Sequence, residues 1–295
     1  MTSRSSSAKP SARLAVALLV ACAASAGAAE YDQLWAVSYD NSAHSTDIAH
    51  SVALDAAGNV YVAGSVTRTD TGTDNTDLVL AKFSSAGELL WVRAVSTTLN
   101  DDAWGVAVSP QGDIYVAGSV TLAVPLAGTP YEVPVGYLSK YRGDGTVVWT
   151  LTFDGDGSGR SVLFAVAVDP FDGSVAAAGA EVRQVDANQR LIPSPQDDIL
   201  TMKIAPDGHL LWRRTYDNPA AGLNAIGYGV AIDRSHNVIV TGYQEVTAAN
   251  TDIVLIKYGA DSTPLWVATY GREITNTDAT IDVGWGVAVD ESGSI

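Results

Sequence analysis

Internal repetition constrains this chain before any other feature does, because a repeated sequence has to be built from a repeated structural unit. From Asp47 to Trp91 the chain reads D-I-A-H-S-V-A-L-D-A-A-G-N-V-Y-V-A-G-S-V-T, then an acidic polar gap, then D-L-V-L-A-K-F-S-S-A-G-E-L-L-W. The same order returns over Asp102–Trp149, Phe164–Trp212 and Tyr228–Trp266, and starts once more at Trp285. Landmarks hold their places. A Trp recurs at Trp35, Trp91, Trp149, Trp212 and Trp266, a Gly at Gly64, Gly118, Gly179 and Gly242, and a Lys at Lys82, Lys140, Lys203 and Lys257. The period is roughly 55–63 residues.

Each unit carries four short apolar runs, in the first unit Ser51–Asp55, Asn59–Ala63, Leu78–Phe83 and Leu89–Ala94. They are about five residues long, rich in β-branched and aromatic side chains, and bounded by Gly, Asp, Asn or Ser, which is how strands read. Outside the leader, no run has helical spacing of apolar residues. The runs are apolar on both faces, whereas a sheet with one wet face would alternate. Four strands per unit, covered on both sides by neighbouring units, predict an all-β β-propeller of four-stranded antiparallel blades. Four units are complete and two are partial.

The units resemble the SBBP family of bacterial β-propeller repeats, in the order G-V-A-V-D, G-N-V-Y-V-A-G, D-x-x-x-x-K-x and G-x-x-x-W. The resemblance covers Tyr31 to Ile295. It implies an extracytoplasmic propeller and carries over no catalytic residue. Unit three departs most, with Val175-Ala-Ala-Ala-Gly179 lacking the aromatic of Tyr61 and Tyr115.

Residues 1–29 read as a secretory signal: Arg4, Lys9 and Arg13, then apolar Leu14 to Ala21, then small residues at Ala26-Gly-Ala-Ala29. Leu19-Val-Ala-Cys22 is similar to a lipobox, which makes Cys22, the single cysteine, a lipidation candidate and the membrane a partner through a lipid anchor alone. The domain proper is expected over residues 30–295. Loss of the leader leaves 14 basic and 33 acidic residues, a net charge of −19. That field repels nucleic acid and favours cations and cationic partners.

Leu34–Tyr39 is a fourth strand without its first three, as expected when both chain ends complete one blade. Gly293-Ser-Ile295 aligns with Gly58-Asn-Val60, where a second strand begins, so the expectation is a fragment of a longer propeller of at least five blades.

Turns between the first and second strands, and between the third and fourth, are short. The other connections are long: 67–76, 122–134, 182–196 and 245–251 within units, and 97–101, 154–161, 217–225 and 272–282 between them. Both long classes emerge on one face, the natural place for binding residues. This face is acidic, and Asp70, Asp74, Asp77, Asp101, Asp102, Asp197 and Asp198 are the ligand-face candidates. Asp154, Asp156 and Ser158 have the oxygen spacing of a calcium-loop start, but Ala165 stands where an EF-hand needs a bidentate Glu.

Catalytic patterns are thin. His44, His50, His209 and His236 lack zinc-ligand spacing, and there is no G-x-S-x-G elbow. Trp104, Phe164, Tyr228 and Trp285 recur just before each first strand and read as blade-to-blade packing. The run from Ala81 to Trp91 is similar to the tryptophan-docking repeat of PQQ-dependent quinoproteins, with Phe83, Ala86 and Glu88 as departures. The expected function is an exported, non-enzymatic scaffold without a cofactor, binding a protein or glycan through the long-loop face; the alternative is a PQQ-dependent quinoprotein or other propeller enzyme.

Overall fold

The computed structural model describes residues 14–20, 32–39, 46–68, 75–126, 129–153, 160–182, 196–220, 222–247, 249–271 and 280–295. Among these the chain is all-β, with no helix. Strands β1 (Leu14–Val20) and β2 (Asp32–Tyr39) pair antiparallel. Four repeat units follow. The first comprises β3 (Asp47–Leu54), β4 (Val60–Arg68), β5 (Asn75–Phe83) and β6 (Leu89–Val95). The second comprises β7 (Asp101–Val108), β8 (Ile114–Leu126), β9 (Thr129–Tyr141) and β10 (Val147–Phe153). The third comprises β11 (Ser161–Val168), β12 (Val175–Val182), β13 (Asp197–Ile204) and β14 (Leu210–Tyr216). The fourth comprises β15 (Ala225–Ile232), β16 (Val238–Thr247), β17 (Asn250–Tyr258) and β18 (Pro264–Tyr270).

Each unit is one four-stranded antiparallel meander, and no sheet closes on itself. Successive sheets stack through their first strands, with β3 against β7, β7 against β11 and β11 against β15, in a propeller-like arrangement. The apolar cover on both faces holds for the middle strands. Every residue of β12 is buried, as is all of β4 except Arg68. It does not hold for the outermost strands, where Leu89, Leu90, Leu210 and Leu211 are exposed, since the fourth strand is the edge of each sheet among the described residues.

The sheets are joined by one repeated device. The Trp of a fourth strand donates its indole N–H to a carbonyl in the next unit's second short turn. Trp91 reaches Gly143 at 3.2 Å, Trp149 reaches Pro206 at 3.0 Å and Trp212 reaches Ala260 at 3.0 Å. Trp35 of β2 does the same to Ser85 at 3.0 Å, so β2 sits on unit one as a fourth strand sits on its successor. Trp35, Val37 and Tyr39 cover the core of Val60, Val62, Ala81 and Phe83. The similarity to quinoprotein docking repeats is therefore accounted for by sheet packing.

The third-strand Lys holds the first turn of its own unit. Lys257–Asp233 is 2.7 Å, Lys140–Asp113 is 2.8 Å, Lys203–Asp169 is 3.7 Å and Lys82–Asp55 is 3.9 Å. Unit two looks like an exception in sequence, because Ser109 replaces the turn Asp. The carboxylate has moved to Asp113, where units one and four have Asn59 and Asn237. In those units the Asp accepts from the Asn, whereas Ser109 Oγ accepts from the Asp113 N–H.

Two segments expected to be long loops are strand. β8 and β9 stay in register to Leu126↔Thr129, and β16 and β17 pair on to Thr247↔Asn250 past one register shift after Glu245. The β8–β9 hairpin runs past β7 and β10, whose pairings stop at Val120 and Gly136. With no third strand there to claim backbone N–H groups, Pro125 and Pro130 break no ladder.

Candidate functional site

The first strand of each unit carries a β-bulge at the same place. Pairing with the second strand skips one residue between Ala49 and Ser51, Ala103 and Gly105, Leu163 and Ala165, and Gly227 and Gly229. The skipped residues are His50, Trp104, Phe164 and Tyr228. A bulge re-aims a side chain, and bulges concentrate beside functional sites.

The bulge explains the recurrent Gly of the second strand. A Cβ at Gly64, Gly118, Gly179 or Gly242 would lie 1.9, 2.1, 1.9 or 1.8 Å from the carbonyl oxygen of Ile48, Asp102, Val162 or Ile226. Each oxygen belongs to the residue two before the bulged ring. The small residue after each ring, Ser51, Gly105, Ala165, Gly229 or Gly286, lets neighbouring first strands approach. A Cβ at Gly105 would lie 3.1 Å from the Ala165 Cα, and one at Gly229 would lie 2.9 Å from the Gly286 Cα.

The result is a continuous belt of rings. Centroids are 4.1 Å apart for His50–Trp104, 5.6 Å for Trp104–Phe164, 5.1 Å for Phe164–Tyr228 and 4.6 Å for Tyr228–Trp285. The last pair stacks at an interplanar angle of 26°. Trp285 comes from the fifth start of the repeat, which lies against unit four through Gly284 N–H to Gly242 O at 3.1 Å. The belt lines a cavity of about 640 Å³, together with Val106, Val166, Val230 and Val287 two residues after the rings. That volume lies within the range of small-molecule pockets. The rings do pack sheet to sheet, and in doing so they also form one wall.

Burial holds the His50 imidazole below the usual histidine range, against the opposing pull of the Asp102 carboxylate. Burial raises the Tyr228 hydroxyl, with Asp197 adding to it. Tyr243, 6.0 Å from Tyr228, is pushed up to about 12 by burial, then by Tyr228, Glu245 and Asp197.

The structure gives the described ligand-face carboxylates work inside the fold. Asp101 is fully buried and accepts from the Thr97 and Thr121 N–H groups and the Thr97 hydroxyl. Burial raises its pKa despite those bonds. Asp77 is buried and lies 3.6 Å from Arg68. Asp197 pairs with Arg160 at 3.1 Å and sits with buried Asp198 at the start of β13. Asp102 is half-buried beside His50. Asp70, Asp74, Asp154, Asp156, Ser158 and Cys22 lie outside the described residues.

One histidine cluster stands on the short-turn side. Asp169, Asp172 and His236 place possible ligand atoms within 4.8 Å of one another. The buried Asp169 carboxylate already has His236 Nδ1 at 2.6 Å and the Lys203 ammonium at 3.7 Å, and Lys203 donates to the His236 carbonyl at 3.0 Å. With that cation in place, the cluster joins units three and four through the hydrogen bonds that His236 makes with Asp169 and Lys203.

Sequence reasoning found four of the five belt rings and missed His50. The signal was present: H-S-V-A-L-D aligns with W-G-V-A-V-S, F-A-V-A-V-D, Y-G-V-A-I-D and W-G-V-A-V-D.

No family model matches the chain, and no curated protein does. Among solved structures, a protein of unknown function from Dyadobacter fermentans is similar at a TM-score of 0.51 and 13% identity, over 78% of this chain and 70% of that one. At this identity the likeness concerns the fold alone. A Bacteroides caccae protein of unknown function aligns with a TM-score of 0.40 and 11% identity, covering 90% of this chain and 97% of that one. A PL25 ulvan lyase, a polysaccharide lyase, aligns with a TM-score of 0.44 and 8% identity, covering 80% of this chain and 59% of that one. Neither of these two carries a functional argument.

Proposed function

We propose that this chain is an exported, non-enzymatic binding scaffold of the β-propeller type, and that its ligand sits in the cavity walled by the aromatic belt. One observation carries the reading: every start of the repeat delivers one ring to the same wall, in the four units through a bulge and a second-strand glycine that makes room for it. Packing alone would be met by aliphatic side chains at these positions. The repeat motifs that resemble the SBBP family support export, as does the basic-then-apolar leader. Export would remove β1 with the leader and free the edge of β2 that β1 covers. The described acidic residues of the loop face hold loops and strand ends, which moves the expected ligand contact to the belt.

The test is a ligand screen on the chain and on Trp285→Ala, read by tryptophan fluorescence and thermal shift across soluble oligosaccharides and small polar molecules. Ligands that shift the chain and leave the variant unmoved support the belt. Ligands that act equally on both would return binding to the loop face and sink this reading.

A further inference from the structure

The belt has a chemical preference written into its surroundings. Its rings are π-systems with electrically negative faces, and such rings attract cations. Among the described residues, no lysine or arginine lines the cavity. The ionised groups that act on its rings are carboxylates: Asp102 on His50, and Asp197 on Tyr228. Behind Tyr228, Tyr243 feels Asp197 and Glu245. Arg160 pairs with Asp197, its side chain 54% exposed, and lines a smaller separate pocket with Phe164 rather than the belt cavity. Burial keeps His50 below the ordinary histidine range, so at neutral pH it adds no positive charge to the wall. The chain as a whole has a formal net charge of −16, and that field concentrates cations at its surface.

Hydrogen-bonding capacity in the wall is small. Its polar side-chain groups are those of His50, Ser51 and Tyr228 and the indole N–H donors of Trp104 and Trp285, so acceptors are few, and Ser51 Oγ already accepts from the Val106 N–H at 3.2 Å. A sugar buried here would leave hydroxyls unsatisfied, a cost that an alkylated ammonium group does not carry.

Resting on the binding-scaffold reading above, we infer that the belt cavity is a receptor for a small organic cation, an alkylated ammonium held against the faces of Trp104, Tyr228 and Trp285. The charge is recognised by ring faces and by the carboxylate field, with no direct ion pair.

The experiment compares choline with its uncharged isostere, 3,3-dimethylbutan-1-ol, by calorimetric titration of the full chain. The two differ in charge and share a shape, so their ratio isolates recognition of the cation. Choline should bind at least tenfold more tightly than the alcohol. Trp285→Leu should remove most of that ratio; its side chain is 71% exposed at the end of the belt, so the fold should tolerate the change. Trp104→Leu should do the same, and Trp266→Leu, away from the cavity, should change nothing. Equal affinity for choline and the alcohol would overturn the inference and leave the cavity as an apolar site. Binding of neutral sugars at the belt, with choline silent, would also overturn it while keeping the binding-scaffold reading. A choline response unchanged in both Trp285→Leu and Trp104→Leu would place the cation elsewhere and end the proposal.

Discussion

At the residue scale, a glycine with no room for a methyl group fixes the direction in which an aromatic ring points. A Cβ at Gly118 would stand 2.1 Å from a backbone oxygen, a contact that no rotamer change relieves. Gly118→Ala should therefore cost about 3 kcal/mol or more, since the bulge itself has to shift. Gly112 is the control. It has φ of +85° and open space around its missing Cβ, so Gly112→Ala should cost about 1–2 kcal/mol, the penalty for a left-handed L-residue. Urea midpoints of the two variants measure the difference. His50 makes a second prediction. Its folded pKa lies below the ordinary histidine value of 6.5, so the unfolded chain binds the proton more readily. Its contribution to stability is full above pH 6.5 and is lost as pH falls from there through the depressed folded value. The first-turn carboxylates act in a lower window. Burial pushes Asp55 and Asp233 up, but Asn59 and Tyr61 for one, and Lys257 and Asn237 for the other, draw both below 3.8. Their contribution holds above that pH and is lost as pH falls through the lowered values. Melting temperature against pH should thus show two declines on acidification. His50→Phe should remove the upper one and keep the lower, and an unchanged upper decline would assign it to another group.

At the scale of elements, the joint between sheets is a tryptophan laid on the next unit's turn. Trp149 donates to the Pro206 carbonyl, and a Cβ on Gly208 would meet its ring at 3.1 Å. Trp149→Phe keeps most of the ring and deletes the N–H, which should cost about 1 kcal/mol. Trp266 has the same place in its unit, with no following turn to dock on among the described residues. Trp266→Phe should therefore be neutral, and equal losses at both positions would show that the bond is not the joint. The elements themselves were legible in the sequence, because period, turn glycines and β-branched runs are local signals. The hairpin extension of β8 and β9 was not, since its prolines read as breakers wherever strand neighbours are unknown. The belt was half legible. The recurrence of Trp104, Phe164, Tyr228 and Trp285 stood out, but the bulge that turns them is a matter of register between strands. His50 escaped because an imidazole does not look like an indole until the units are aligned. For the loop carboxylates, sequence gives charge and spacing, whereas the burial of Asp101 and the Arg160–Asp197 pair are set by tertiary neighbours.

At the scale of the whole molecule, stacking leaves a sheet face uncovered, and charge decides what becomes of it. Trp266, Ala268 and Tyr270 share one side of β18 by strand alternation, the side on which Trp149, Leu151 and Phe153 of β10 pack into the core shared with unit three. In β18 that side is open, with Trp266 37% and Tyr270 75% exposed. An exposed apolar strand invites another chain. Opposing it is the net charge of −16, which makes two copies repel. The two terms respond differently to salt. The repulsion is screened as the Debye length falls to about 8 Å at physiological ionic strength, while the apolar attraction is not weakened. The chain should therefore sediment as a monomer at low ionic strength and associate in a concentration-dependent way as sodium chloride is raised. Ala268→Lys with Tyr270→Lys should abolish that association even at high salt, because the new charges lie on the attractive face. Association that weakened with salt would mean that opposite charges on two copies drive it. Association that persisted in the double variant would move the contact to another surface, with the β2 edge the next to test.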